Sequence, residues 1–200
     1  MKALSLYITS FNRYRRSRGF GVHSPFAYYF IKRVIKEQWG YYAYEDIDKA
    51  ARKEKVSRSE ARLLFRVANY FNLPSILVAT ENEAAVTALK SVSSDTQIIR
   101  TSDNISHAMQ YLDNLEGSMP FMYLDTSAAI TDDKLIHLMK EIITRQGIVV
   151  IGGMKRCNRT RRLLKEAESG MKRGMTFSNG TTAVIIGDNK LPRQRFSLWF

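Results

Sequence analysis

Cysteine is almost missing from this sequence. Cys157 is the only one, so there is no internal disulfide and no cysteine cage for a metal. Histidine is scarce as well: His23, His107 and His137 show none of the close spacings of zinc sites, and no metal site is expected. Long apolar runs are absent. Stretches such as residues 146–153 (QGIVVIGG) are strand-sized, too short to span a bilayer. The N-terminus carries its basic cluster after its apolar part, the reverse of a secretory signal. Together these absences read as a protein of the reducing cytoplasm. Nucleophile-elbow, P-loop and dinucleotide fingerprints are missing too.

Acidic residues are also in short supply, which gives a net charge of +12. The deficit is uneven. Residues 1–70 carry 15 Lys and Arg against 6 Asp and Glu, residues 71–150 carry 5 against 10, and residues 151–200 carry 11 against 3. A basic front and tail around an acidic middle suit an anionic partner, either nucleic acid or an acidic protein. A merely solvated basic surface fits the same numbers. What is present in ordinary amount is the material for a core: 44% hydrophobic residues with 25% charged, in a length that fits one domain with an appended arm.

Read in order, residues 3–12 suit a short amphipathic helix. The basic knot Arg13, Tyr14, Arg15, Arg16, Ser17, Arg18 follows, either a phosphate-contacting arm or a solvated linker. Ser24 and Pro25 have the chemistry of an N-cap and first helical turn, and an apolar helical pattern runs to about residue 38. His23 beside that cap is either a base or structural. A charged helix is expected over about 44–54. Ser57 with Glu60 has capping-box spacing, and Ala61, Leu64, Phe65, Ala68 and Phe71 line one side of the helix that follows.

From there strands and helices alternate. Strands are expected at 75–80, 96–101, 120–125 and 147–151, with helices at 83–91, 105–115, 132–145 and 159–169. The end reads as strands alone, at 175–178, 182–186 and 196–200, the first two joined by the hairpin step Asn179-Gly180. The alternation predicts a mainly parallel sheet with antiparallel strands at its C-terminal edge. The organisation is then an α-helical N-terminal arm over residues 1–72 and a Rossmann-like α/β domain over residues 73–200.

His23-Ser24-Pro25-Phe26, the helix Arg62-Leu63-Leu64-Phe65-Arg66-Val67, Asp125 at the end of a strand, and the closing Arg195-Phe196-Ser197-Leu198-Trp199-Phe200 together resemble a group of bacterial class I methyltransferases. These enzymes use S-adenosylmethionine and open on an HSPF-type segment. The resemblance implies a methyltransferase-type sheet, closed by an antiparallel strand, with S-adenosylmethionine as the cofactor of an active member.

Three departures weigh against activity. Where the family has a glycine-rich turn after its first strand, residues 79–85 contain no glycine and two acids. Glu81 is there either a ligand contact or an acid complementing a helix start. The family needs two strand–helix units before its Asp-ending strand, and here there is one. The 96–101 pattern resembles the later unit more than the earlier one, so the ribose-binding carboxylate is deleted; in the runner-up alignment it is the earlier unit and Asp103 takes that role. Finally, the acidic stretch that the family carries after the fourth strand is replaced by Gly152, Gly153, Met154, Lys155, Arg156, Cys157, Asn158 and Arg159. Gly152-Gly153 is either a phosphate cradle or a tight turn. Cys157 among these cations would be a reactive thiol if exposed.

The leading expectation is a methyltransferase-like pseudoenzyme that has lost its cofactor and acts by binding or as a scaffold. Two alternatives stand beside it. One is an active S-adenosylmethionine-dependent enzyme with an unorthodox pocket formed by Thr80, Glu81, Asp103 and Asp125. The other is a nucleic-acid-binding module. The anion-binding surface would draw on Arg13, Arg15, Arg16, Arg18, Lys155, Arg156, Arg159 and Arg162, with Arg161, Lys172 and Arg173 nearby in sequence.

Overall fold

The computed structural model describes residues 10, 12–54, 56–101, 105–115, 117–155 and 157–200. The helix expected over 3–12 therefore lies almost wholly outside the described residues, while residues 12–17 are helical. Ser24 caps helix α1 (Pro25–Phe30) by accepting the Ala27 amide, with Pro25 in the first turn. Helical hydrogen bonding continues to Ile35, but residues Ile31–Ile35 widen into a π-helix, with Lys36 N–H returning to Ile31. Helices α2 (Tyr44–Lys53) and α3 (Arg58–Phe71) follow. Ser57 caps α3, which stops at Asn72 in the left-handed conformation, just ahead of Leu73-Pro74.

The alternating half begins with β1 (Ser75–Ala79), α4 (Glu83–Lys90), β2 (Gln97–Arg100) and α5 (Ile105–Asp113). Next come β3 (Phe121–Leu124), α6 (Asp132–Thr144), β4 (Ile148–Ile151) and α7 (Asn158–Ser169). Strands β5 (Met175–Ser178), β6 (Ala183–Ile186) and β7 (Gln194–Ser197) end the chain. All seven strands form one sheet in the order β2-β1-β3-β4-β6-β5-β7. This is a Rossmann-like α/β architecture, mainly parallel, with the reversal on its C-terminal side.

That reversal is β6, which runs antiparallel to both β4 and β5. Asn179 turns the β5–β6 hairpin, its side-chain oxygen accepting the amides of Thr181 and Thr182 at 2.8 Å. The short link after β6 then turns the chain back once more. As a result β7, where the resemblance implied an antiparallel strand, lies parallel to β5, with Phe196 beside Phe177.

Two apolar layers hold the sheet. On one face Ile76, Phe121, Ile148, Phe177 and Val184 meet α1, the π-helix, α3 and α4 through residues such as Phe30, Val34, Leu64 and Leu89. On the other, Leu77, Met122, Val149 and Ile185 meet α5, α6 and α7 through Leu112, Leu138 and Leu163. Strands covered on both sides read as unbroken apolar runs, as Ile148–Ile151 does. The helices before residue 72 thus contribute to the same core as the sheet. Among the described residues, no helix is long and apolar enough to cross a membrane.

Candidate functional site

In an open α/β sheet, ligands bind beyond the carboxyl ends of the strands, in the crevice where successive crossovers diverge. Here β2 lies on one side of β1 and β3 on the other, so that crevice lies between the ends of β1 and β3. The residues that follow those strands are Thr80 and Asp125. Both are buried, and the Thr80 hydroxyl donates to Asp125 Oδ2 at 2.7 Å, bridging the crevice.

Asp125 accepts more than this bond. Ser127 donates its amide (2.8 Å) and its hydroxyl (2.6 Å) to Oδ1, while Tyr123 donates its phenol to Oδ2 at 3.3 Å. A carboxylate offers about four acceptor positions, so these four donors fill it. Both hydroxyl protons of Thr80 and Ser127 point at Asp125, which makes their 3.1 Å approach a contact and not a further bond. Each hydroxyl oxygen in turn accepts a backbone amide, Ser127 from Glu81 at 2.8 Å and Thr80 from Asn82 at 3.0 Å. The β1–α4 turn is thus tied to the β3 turn by side chains that a glycine-rich turn would not have.

The start of α4 is closed in the same way. A helix N-terminus is a ready anion site because its first amides have no partner within the helix. Here Asn82 accepts the Ala84 and Ala85 amides, so the helix caps itself. Glu81 is exposed and joins the network through its backbone, and Glu83 pairs with Arg100 at 2.6 Å.

After β4, Gly152 and Gly153 pass under α3. A Cβ at Gly152 would lie 2.4 Å from Glu60 Oε1 and 2.6 Å from the Tyr123 hydroxyl, while Gly153 adopts φ +68°. Only glycine meets both demands without strain. The Gly153 amide donates to Glu60 at 2.9 Å, so a carboxylate of the chain itself sits where an incoming phosphate would have to lie. Ser57 caps α3 as its spacing predicts, with the Glu60 amide at 3.5 Å, and the Glu60 carboxylate reaches across to the β4 loop. Tyr123, wholly buried, has its phenol pushed well above the usual range, first by burial and then by the neighbouring Asp125 and Glu60 charges. Between Glu60, Asn82, Tyr123, Asp125, Thr126 and Gly153 remains a cavity of about 40 Å³.

Of the four residues expected to hold a cofactor, Thr80 and Asp125 meet, Glu81 flanks them through its amide, and Asp103 lies outside the described residues. Strand β2 sits directly beside β1, which is the second-strand place in a doubly wound sheet. Sequence reasoning missed Tyr123, Ser127 and Asn82. Tyr123 left a signal, since a tyrosine two residues before Asp125 in a buried strand shares its side of the strand and needs a partner for its hydroxyl.

The basic residues divide into separate groups. Arg13 donates to the carbonyls of Asn179 (2.6 Å) and Leu198 (3.0 Å), and Ser17 accepts the Trp199 amide at 2.6 Å, so the arm fastens onto the β5–β7 edge of its own sheet. Arg15 and Arg18 lie over the Phe20 and Tyr14 rings, and Arg16 is exposed. On α7, Arg159 donates to Asp132 (2.6 Å) and to the carbonyls of Ala128 and Ile130, and Arg162 also meets Asp132. The Arg159 hydrogen bond, followed by that of Arg162, holds the Asp132 carboxyl below its usual range. Lys155 is exposed, and Arg156 lies outside the described residues. Among the described residues, no group of three or more His, Cys, Asp or Glu side chains is placed to hold a metal.

No protein-family model matches this chain, and no curated protein matches it in sequence. Among solved structures it is similar to human N-acetylserotonin methyltransferase in complex with SAM, at 13% identity and a TM-score of 0.39. The likeness covers 89% of this chain but only 63% of that one, and it is too distant to assign a role to any residue.

Proposed function

We propose that this chain is a methyltransferase-like protein that no longer binds S-adenosylmethionine and works as a binding protein. One observation carries the reading: the Thr80–Asp125 bond closes the crevice between β1 and β3 and leaves about 40 Å³. That volume is close to the share of one water molecule, about 30 Å³, whereas pockets for drug-sized ligands hold about 300–1,000 Å³. The residues present also do not fit the cofactor chemically. Asp125 has its acceptor positions filled, Asn82 occupies the α4 amides, and the acid Glu60 occupies the Gly153 amide. A carboxylate-bearing ligand entering here would displace three internal acceptors.

Titration calorimetry with S-adenosylmethionine and S-adenosylhomocysteine tests this, alongside thermal denaturation. The expected result is no heat and no shift in melting temperature up to millimolar ligand. A ligand present at a hundred times its Kd stabilises by about 2.7 kcal/mol, so binding would be plain in either measurement. Micromolar affinity would overturn the reading and make Asp125 and Glu81 the first residues to mutate as cofactor contacts.

A further inference from the structure

Two wider open spaces lie away from the strand tips, beside the N-terminal helices. One cavity of about 440 Å³ is walled by Tyr14, Arg18, Lys32, Lys36 and Trp39. A second, of about 580 Å³, shares the segment 36–38 with the first and extends to Ser57, Arg58 and Ser59 at the start of α3. Arg62 and Arg66 also face the second cavity but are engaged within the fold, Arg62 by both oxygens of Asp48 and Arg66 by the Val34 and Ile35 carbonyls. The others differ. Among the described residues, Arg18, Lys32 and Lys36 have no carboxylate within ion-pair distance, and Arg58 stands 3.8 Å from Asp48 with most of its side chain exposed.

Arg18, Lys32 and Lys36 are thus set in place without an ion-pair partner, and the Glu37 carboxylate that also lines both cavities accepts backbone amides. Lys32 and Lys36, four residues apart and so on one side of the helical turn, both line one cavity. Lys36 donates to the Trp199 carbonyl at 3.0 Å, and Arg18 stacks 4.7 Å over Tyr14. Burial and the nearby Arg18 charge lower the proton affinity of Lys36, which marks two like charges held together by packing. Between them the Trp39 ring projects into solvent at 78% exposure. Its backbone is fixed, for the Glu37 carboxylate accepts the amides of Gln38 (3.0 Å) and Trp39 (3.1 Å).

We propose that this groove binds single-stranded nucleic acid, with phosphates on Arg18, Lys32, Lys36 and Arg58 and a base stacked on Trp39. Unpaired cations alternating with exposed rings are what a single strand requires, because its bases offer free faces for stacking and a duplex does not. An acidic peptide would answer the cations but leave Trp39 uncovered. The inference names the partner for the binding role proposed above and rests on that reading.

The test uses a fluorescein-labelled twelve-nucleotide oligo(dT) and its duplex with oligo(dA), read by anisotropy and by quenching of tryptophan fluorescence. The single strand binds more tightly than the duplex. About three or four phosphate contacts make log K fall with log salt with a slope of about −2 to −3. Trp39→Ala weakens binding about tenfold and removes most of the quenching, since Trp199 is the only other tryptophan. Lys32→Glu, at an exposed position, weakens binding and lowers the slope by about 0.7 or more, whereas Lys165→Glu, exposed on α7, leaves Kd within twofold. No binding at 100 μM in low salt overturns the proposal, as does unchanged affinity in Trp39→Ala or equal competition by polyglutamate. The cofactor titration is read separately, so micromolar S-adenosylmethionine binding fells the earlier reading whatever the oligonucleotide does, and a silent oligonucleotide fells only the groove.

Discussion

The tips of the central strands and the groove beside the N-terminal helices are opposite solutions to the same question of where polar groups find partners. At the tips every acceptor of Asp125 is met from within, and the space left is about 40 Å³. In the groove the cations Arg18, Lys32 and Lys36 line a cavity of about 440 Å³ with no carboxylate in ion-pair distance among the described residues. A place where a Rossmann-like sheet ordinarily receives a ligand is internally complete, and a place the fold class does not single out is electrostatically incomplete. Satisfied networks stabilise a fold, while unsatisfied charge is what a ligand answers.

The closed side is the easier one to break. Asp125→Ala strands the hydroxyls of Thr80, Tyr123 and Ser127, two of them on buried residues, and at about 1–3 kcal/mol for an unsatisfied buried group it should cost about 3 kcal/mol or more in all. In a chain of this size that lowers the melting temperature by roughly 6–12 °C, measurable by calorimetry. A loss of under a degree would mean the network is loose and the crevice open.

Gly152→Ala asks whether the closed side has slack. Its methyl would meet Glu60 and the Tyr123 hydroxyl, so a destabilisation of about 1–3 kcal/mol is expected by urea unfolding. A neutral outcome would show that Glu60 can swing away and free the Gly153 amide.

On the open side, Arg13→Ala removes two bonds from the arm to the β5–β7 edge, although its Nε is buried without a partner, which offsets part of the gain. The expected cost is about 1–2 kcal/mol, with faster proteolysis within residues 12–21 than in the wild type. If the arm resists protease as before, the groove wall is held by something other than this clamp.

The smallest effect concerns pH. Arg159 holds the Asp132 carboxyl below its usual range, so its folded value is lower than its unfolded one. The stabilisation is therefore present above the unfolded value, about 3.9, and disappears as pH falls through the folded value. Asp132→Asn should flatten the drop in melting temperature between pH 6 and pH 3. An unchanged curve would release Arg159 and Arg162 from the fold and return them to the anion-binding surface.

Much of this fold was legible in the sequence because its signals are local. The alternating strands and helices, the Ser24 and Ser57 caps and the Asn179-Gly180 turn each lie within a few residues of what they shape. The site was legible only in part. Asp125 stood out as a strand-ending acid, but its partner Thr80 is 45 positions away, and Glu60 meets Gly153 across 93. The spacing of Ser57 and Glu60 located the helix start correctly while giving no hint that the Glu60 carboxylate leaves its own helix. Charge counting pointed to the basic front, but not to which cations the fold engages. Arg13 and Arg62 find partners inside it, whereas Lys32 and Lys36, neighbours by their i,i+4 spacing, find no carboxylate among the described residues, which spacing alone does not announce.

The clamp between Arg13 and Leu198 also sets an order of events during synthesis. Arg13 is made 185 positions before the residue that carries its acceptor. At about 5–20 residues per second, the arm waits roughly 10–40 seconds before that carbonyl exists. Throughout that interval the basic knot is exposed on a nascent chain whose sheet is still being laid down, so the groove wall is fastened only after the seventh strand has been made.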